Sequence, residues 1–132
     1  MIKKIVIIFL CFLVISQYSC KKQAINKLEG NWRHWRTTIQ DSVVFEYWEF
    51  REPNMLFKTA YYQDTVKTDT GYWEITKEFL EPTFLDIKSF DGYYDGIYQI
   101  LKLNKKYLFL QRTKLAGGST KGAFLRLEFT KE

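Results

Sequence analysis

The chain is short of the residues that most site chemistry needs. It has two cysteines and one histidine in 132 residues. Cys11 lies inside an apolar leader, so Cys20 is the one thiol left beyond it, and no internal disulfide can form. His34, in "WRHWR", cannot build a zinc site without carboxylate help, and no second ligand stands at useful spacing. It reads as a half-exposed strand residue. Basic blocks and stripes are missing too. With Lys3 and Lys4 set aside, 18 basic residues face 15 acidic ones, a net charge of +3. That mild, interspersed charge excludes nucleic acid as the expected partner. No apolar stripe of helical period follows the leader, which argues against a helical core. No serine or cysteine has a base at recognisable spacing. Glu46 and Glu49 differ in strand parity, so on a regular strand they point to opposite faces and cannot work as a pair. The expectation is a protein without catalytic residues, metal or cofactor.

What is present begins with the leader. Lys3 and Lys4 precede an unbroken apolar run, Ile5 to Ile15, of eleven residues. A helix that crosses the hydrocarbon core needs about twenty. Eleven is the length of a signal-peptide core, and small Ser19 follows. Residues 1–19 are therefore read as a removed signal peptide, residues 20–29 as the mature N-terminus and a short polar tether, and residues 30–132 as the folded domain. From Cys20 the chain has 113 residues, enough for one domain with a core and too few for two.

The stretch "SQYSCKK", Ser16 to Lys22, resembles a bacterial lipobox, in which the cysteine becomes the first mature residue and carries lipid. The resemblance implies acylation of Cys20, with palmitate among the chains, and a membrane-anchored lipoprotein of the cell envelope, the outer membrane being expected. A lone thiol is awkward in an oxidising compartment, and acylation removes it. Each buried acyl methylene contributes about 0.8 kcal/mol. Lys21 and Lys22 would each add about 1 kcal/mol at anionic headgroups. The alternatives are an uncleaved membrane anchor and a plain secreted protein.

Beyond the tether the chain reads as eight short strands: 31–39, 43–51, 55–62, 71–76, 84–88, 97–103, 107–113 and 124–129. Aromatics, 18% of the sequence, favour strands. The breaks are turn signals: Gln40-Asp41-Ser42, Glu52-Pro53-Asn54, Thr68-Asp69-Thr70, Asp91-Gly92, Asn104-Lys105 and Ala116-Gly117-Gly118-Ser119. Alternation sets Val44, Glu46, Trp48 and Phe50 on one side of their strand. It sets Met55, Phe57, Thr59 and Tyr61 on one side of the next, with Lys58 outside. Trp73 with Ile75, Leu85 with Ile87, Leu108 with Leu110, and Leu125, Leu127 and Phe129 continue the inner face. Short links between such strands predict an all-β, eight-stranded antiparallel up-and-down barrel, closed so that no edge is exposed. A barrel of eight strands is filled by side chains or holds one small ligand. A two-layer sandwich is the alternative.

"LEGNW", Leu28 to Trp32, carries a G-x-W where the first strand opens. Together with "TGYWEI", "LKLNKKYLFLQR" and a final apolar strand, it resembles the small bacterial lipocalin-like lipoproteins over roughly residues 28–130. The resemblance implies a barrel whose closed end is plugged by Trp32, with a basic residue near the chain end stacked on it. Arg126 is the nearest candidate by position. Strand parity turns Arg126 outward and Lys131 inward.

Two other stretches hold polar groups. "FDGYYDGIY" brings Asp91 and Asp95, too few oxygens for a calcium loop, and reads as consecutive turns. "AGGSTKGA", Ala116 to Ala123, lacks the Gly-Lys-Ser/Thr order of a P-loop. It reads as a hairpin loop that could cover one mouth. The expected function is binding of a small, mostly apolar molecule lined by Trp48, Phe50, Phe57, Tyr61, Trp73 and Tyr98, with Glu46 or Arg36 as a placed polar group. The alternative is a solid, monomeric barrel acting on a protein partner through exposed Tyr61, Tyr62, Tyr93 and Tyr94.

Overall fold

The computed structural model describes residues 1–35, 43–78, 80–88, 90 and 92–132. One helix, α1 (Ile2–Leu28), precedes eight strands: β1 (Gly30–Trp35), β2 (Val43–Arg51), β3 (Met55–Tyr62), β4 (Val66–Lys77), β5 (Thr83–Lys88), β6 (Gly96–Leu103), β7 (Tyr107–Leu115) and β8 (Leu125–Lys131). Every strand pairs antiparallel with its sequence neighbours, and β8 returns to β1 to close the barrel. The fold is the expected eight-stranded up-and-down barrel. The expected turn at Gln40-Asp41-Ser42, the end of the first strand beyond Trp35, and both Arg36 and Asp91 lie outside the described residues.

The register explains which side chains reach the interior. Directly paired residues share a face of the sheet. Trp32 pairs with Trp48, Trp48 with Lys58, and Phe50 with Leu56. With Trp48 and Phe50 inside, Leu56, Lys58 and Ala60 are inside too, and all three are buried. This corrects the face assigned to β3. Phe57 and Tyr61 look outward, where Arg51 stacks on Phe57 at 4.7 Å and Tyr61 meets Tyr47 edge-on at 5.9 Å. The alternation was right in period and wrong in phase, because β3 carries its larger rings on the outer face. A register shift between Val43 and Phe45 also turns Val44 out to solvent.

Strand β4 starts earlier than its sequence indicated. Thr68, Asp69 and Thr70 form no turn. They pair with Thr59, Lys58 and Phe57 of β3. The β-branched threonines suit a strand, and Asp69 answers the charge of Lys58, 3.4 Å away. The turn lies just before, where Tyr62 donates its N–H to the Thr65 carbonyl at 2.8 Å.

Residues 20–29 differ from the expected tether. The helix crosses the expected cleavage point at 19/20 without a break and ends at Leu28. Its apolar first part is exposed, whereas Leu28 is fully buried and Ala24 and Ile25 pack against the core. By length and composition α1 is apolar enough to cross a membrane. Its last turns cap the barrel end where β1 starts and β2 ends.

Candidate functional site

The two barrel ends are built differently. At the end beneath α1, Trp32 is fully buried, and its indole N–H donates to the Leu28 carbonyl at 2.7 Å. Lys131 lies 4.5 Å over the Trp32 ring and donates to the Glu29 carbonyl, with that of Lys27 at 3.4 Å. Parity therefore named the stacking cation correctly, while Arg126 sits outside, bonded to Glu128 at 3.0 Å and 5.6 Å over Phe109. Burial lowers the Lys131 pKa, partly offset by the charge of Glu29. Trp73 braces the same end through its indole N–H, which donates to the Met55 and Arg51 carbonyls at 2.9 and 3.1 Å. The interior above is then packed with Phe50, Leu56, Ile75, Leu85, Leu108 and Leu110.

The opposite end buries charge. His34 is not half exposed, as its neighbours in sequence implied. It points inward at 9% exposure, and its Nδ1 donates to Glu46 Oε2 at 2.5 Å. The Trp48 indole N–H donates to the same oxygen at 3.1 Å. The imidazole stacks on Phe129 at 4.8 Å and meets Trp48 and Tyr94 edge-on. Lys58 lies 4.8 Å over Tyr94 and 5.3 Å over Phe90. Burial pushes the Glu46 carboxyl up. The hydrogen bond and charge of His34, the Trp48 N–H and the charge of Lys58 together outweigh it and hold that carboxyl below the usual range. Among the described residues no cluster of three His, Cys, Asp or Glu forms a metal-sized donor set.

The connection between β5 and β6 closes over this cluster. Phe90 and Tyr94 are buried against Trp48, with ring centroids 4.8 and 5.1 Å away. The loop is tied down by polar contacts. Tyr98 donates its hydroxyl to the Tyr94 carbonyl at 2.6 Å, and Asp95 Oδ1 accepts the Phe90 N–H at 2.9 Å. Arg112, buried on β7, donates to the carbonyls of Tyr93 at 2.5 Å, Ala123 at 2.8 Å and Asp95 at 3.3 Å. One guanidinium thus holds both residues 93–95 and the end of the 116–123 hairpin. Two glycines let the backbones approach. A Cβ on Gly71 would stand 2.7 Å from Phe90 Cα, and one on Gly96 2.5 Å from the Lys114 carbonyl oxygen.

Of the residues expected to line the interior, Trp48, Phe50, Trp73 and Tyr98 are buried within the core cluster, while Phe57 and Tyr61 are outside. Glu46 is inside and Glu49 outside, bonded to Arg51. Tyr93 is exposed, but Tyr94, expected on the surface, is buried. Sequence reasoning missed Lys58, Arg112 and the inward turn of His34. The first would have followed from pairing Glu52-Pro53-Asn54 as a tight turn, since that register carries Lys58 to Trp48. Arg112 shares the side of β7 that carries Leu108 and Leu110, so strand period alone would have placed it inside.

Outside the barrel, a groove of about 520 Å³ runs over β1–β3, lined by Asn31, Phe45, Tyr47, Thr59, Tyr61 and Glu132. Cys20 is exposed on α1, at a cleft of about 190 Å³ against Ile100, Leu103 and Thr83. Compared with protein-family models, curated proteins and solved structures, the chain has no match in any of the three.

Proposed function

We propose that the chain is a membrane-anchored protein of the cell envelope, a lipoprotein acylated at Cys20, whose barrel takes up a small and mostly apolar molecule at the end that Phe90 and Tyr94 cover. The observation that carries the binding reading is the His34–Glu46 pair, with Lys58 beside it, buried among the rings of Trp48, Phe90, Tyr94 and Phe129. Filling that space with apolar side chains would cost less than desolvating charges, because a buried ion pair rarely outperforms well-packed hydrophobic residues. A few placed polar groups in an aromatic lining are what ligand pockets use. The ligand enters by displacing Phe90 and Tyr94, and its polar end meets Glu46 or Lys58.

Native mass spectrometry of the barrel purified gently from its host's envelope fraction tests this. A reproducible small-molecule adduct, lost on organic extraction and absent in Glu46→Leu, supports the reading. Bare protein that also refuses fatty acids, retinoids and haem overturns it. The anchor has its own test: acyl labelling and membrane retention should both be lost in Cys20→Ala, and unchanged labelling sinks the lipidation.

A second reading has one observation behind it. Trp35, Phe45 and Tyr61 are all exposed on the outer face of β1–β3, beside the groove that holds Tyr47. A solid barrel would use that face on a protein partner. Pull-down of a stoichiometric envelope protein, lost in Phe45→Ala with Tyr61→Ala, would favour it over ligand uptake.

A further inference from the structure

We propose that the helix-capped end of the barrel is held against the lipid surface and the opposite end, with its buried charges, is turned away into the water. The proposal rests on the membrane attachment argued above, but not on its form, since an acyl chain on Cys20 and an uncleaved apolar helix both put the membrane at the same point of the chain.

The reasoning starts from the missing spacer. A polar tether of ten residues would let a barrel tumble freely. Here the segment after Cys20 is helical up to Leu28. At 1.5 Å per residue, those eight steps span about 12 Å. The end of that helix is seated firmly. Leu28 is fully buried, Ala24 and Ile25 pack on the core, and the Glu29 N–H donates to the Ile25 carbonyl at 3.0 Å. Trp32 takes the Leu28 carbonyl, and Lys131 takes that of Glu29. Strand β8 is thereby pinned to the helix terminus, as well as β1. Turning the barrel over would require melting the helix or pulling Leu28 out of the core.

This end presents one prominent apolar side chain among mixed charges. Leu80, in the turn between β4 and β5, is 87% exposed with φ at 59°. The strand that follows starts at Thr83, which lines the cleft beside Cys20. Lys22 and Lys27 on the helix and Lys105 and Lys106 in the β6–β7 turn are exposed at the same end. Glu52, Glu78 and Glu81 share it, so the charge is mixed and no basic patch drives the contact. The short connection and Leu80 do. A strand of eight residues is about 26 Å long, and tilted by about 40° it sets the mouth roughly 20 Å farther from the membrane. Phe124, 73% exposed at the end opposite α1, then stands clear of lipid.

The experiment uses the full chain carrying a fluorescent noncanonical amino acid in place of Leu80 or in place of Phe124, so that Cys11 and Cys20 are not labelled. It is reconstituted in vesicles of phosphatidylethanolamine and phosphatidylglycerol whose headgroups bear a nitroxide quencher. The expected result is strong loss of emission from the Leu80 position and emission from the Phe124 position equal to that in quencher-free vesicles. Equal loss at both, or a larger loss at Phe124, overturns the orientation. Ala24→Pro breaks the helix while leaving Cys20 and the leader intact, and it should erase the difference between the two positions. A difference that persists there overturns the helix as the orienting element. Vesicle flotation separates the two ideas. Protein that fails to float overturns the attachment and the orientation with it, whereas floated protein with equal quenching overturns the orientation alone.

Discussion

The two ends of the barrel solve the same problem with different chemistry. Below, the plug is an aromatic ring sealed by an apolar helix end, and the one cation that joins it, Lys131, is bonded to backbone carbonyls. Above, the lid is a loop, and what it covers is a carboxylate, an imidazole and an ammonium group. The contrast is visible in two glutamates. Glu46 ionises more readily than an ordinary carboxyl, despite burial, because His34, Trp48 and Lys58 surround it. Glu29, at the plugged end, is raised, first by burial and then by the hydrogen bond and charge of Glu52, with Lys131 opposing. The lidded end is arranged around a charge it keeps. The closed end tolerates one it would be better without.

The largest effect belongs to the plug. Trp32→Ala should cost about 3–5 kcal/mol, the usual loss for truncating a fully buried large ring. Domains of this kind have about 5–15 kcal/mol in all, so urea melts should show a much earlier midpoint or no folded baseline. A loss below about 1 kcal/mol would mean that the ring plugs nothing, since surface changes lie within about half of that.

Next comes the charged cluster. Glu46→Ala leaves the His34 and Trp48 donors without their acceptor and should cost about 2–3 kcal/mol. The pair His34→Phe with Glu46→Leu should recover most of that loss, because replacing both partners of a buried pair by apolar groups is often neutral. Recovered stability together with lost ligand uptake is the outcome the comparison requires. A double variant as unstable as Glu46→Ala would make the cluster structural. Acid gives an independent reading. The folded-state pKa of Glu46 is depressed, so its contribution is present above the unfolded carboxyl value of about 4.3 and is lost as pH falls through the folded value. Glu46→Gln should therefore flatten the acid limb of a stability–pH curve. An unchanged limb would assign it to other carboxylates.

Much of this architecture can be read from the residues. Eight alternating runs became eight strands, two of them, β2 and β3, with the very bounds that alternation and turn signals gave. Period is a local property and survives in the sequence. Phase is not local. The face of β3 depends on its pairing with Trp48 and Phe50, and a strand bearing Phe57 and Tyr61 on one side and Lys58 on the other argues for the wrong face by composition alone. The site failed in part for the same reason. Lys58 looks solvated until the register carries it inward beside Asp69, whereas His34 shares the side of β1 that carries Trp32 and is placed inside by strand period alone, where Glu46 and the aromatic rings receive it. The inward turn of Arg112 follows from parity with Leu108 and Leu110, but its carbonyl partners lie on two loops distant in sequence and leave no local trace. Lys131 was legible because parity counted from Leu125 and Leu127 suffices when no register shift intervenes.

At the hinge of the lid, Gly96→Ala should have an intermediate effect. Its φ of 149° is one that side chains rarely adopt, and the new Cβ would meet Arg112 Cδ at 2.7 Å. The strain of such a residue is of order 1–3 kcal/mol. Arg112 would have to shift from the carbonyls of Tyr93, Asp95 and Ala123. Amide hydrogen exchange should therefore speed up in residues 92–96 and 120–123 while the plugged end keeps its protection. Uniform acceleration would show instead that the two ends unfold as one unit.

The smallest effect returns to the closed end and has the opposite sign. Because the pKa of Glu29 is raised on folding, its ionised form is disfavoured at neutral pH. That cost is present above the folded-state value and relieved as pH falls through it, the reverse of Glu46. Removing the charge should thus stabilise. Glu29→Gln keeps the shape, ends the repulsion with Glu52 and leaves the backbone carbonyl that Lys131 uses. The side chain is only partly covered, so solvent screening limits the gain to about 0.5 kcal/mol or less. Urea midpoints measured at neutral pH should rise slightly in Glu29→Gln and show no difference from the parent in acid. A fall at neutral pH would mean that the Glu29 charge supports Lys131 more than it opposes Glu52, and the two ends would then both depend on the charges they bury.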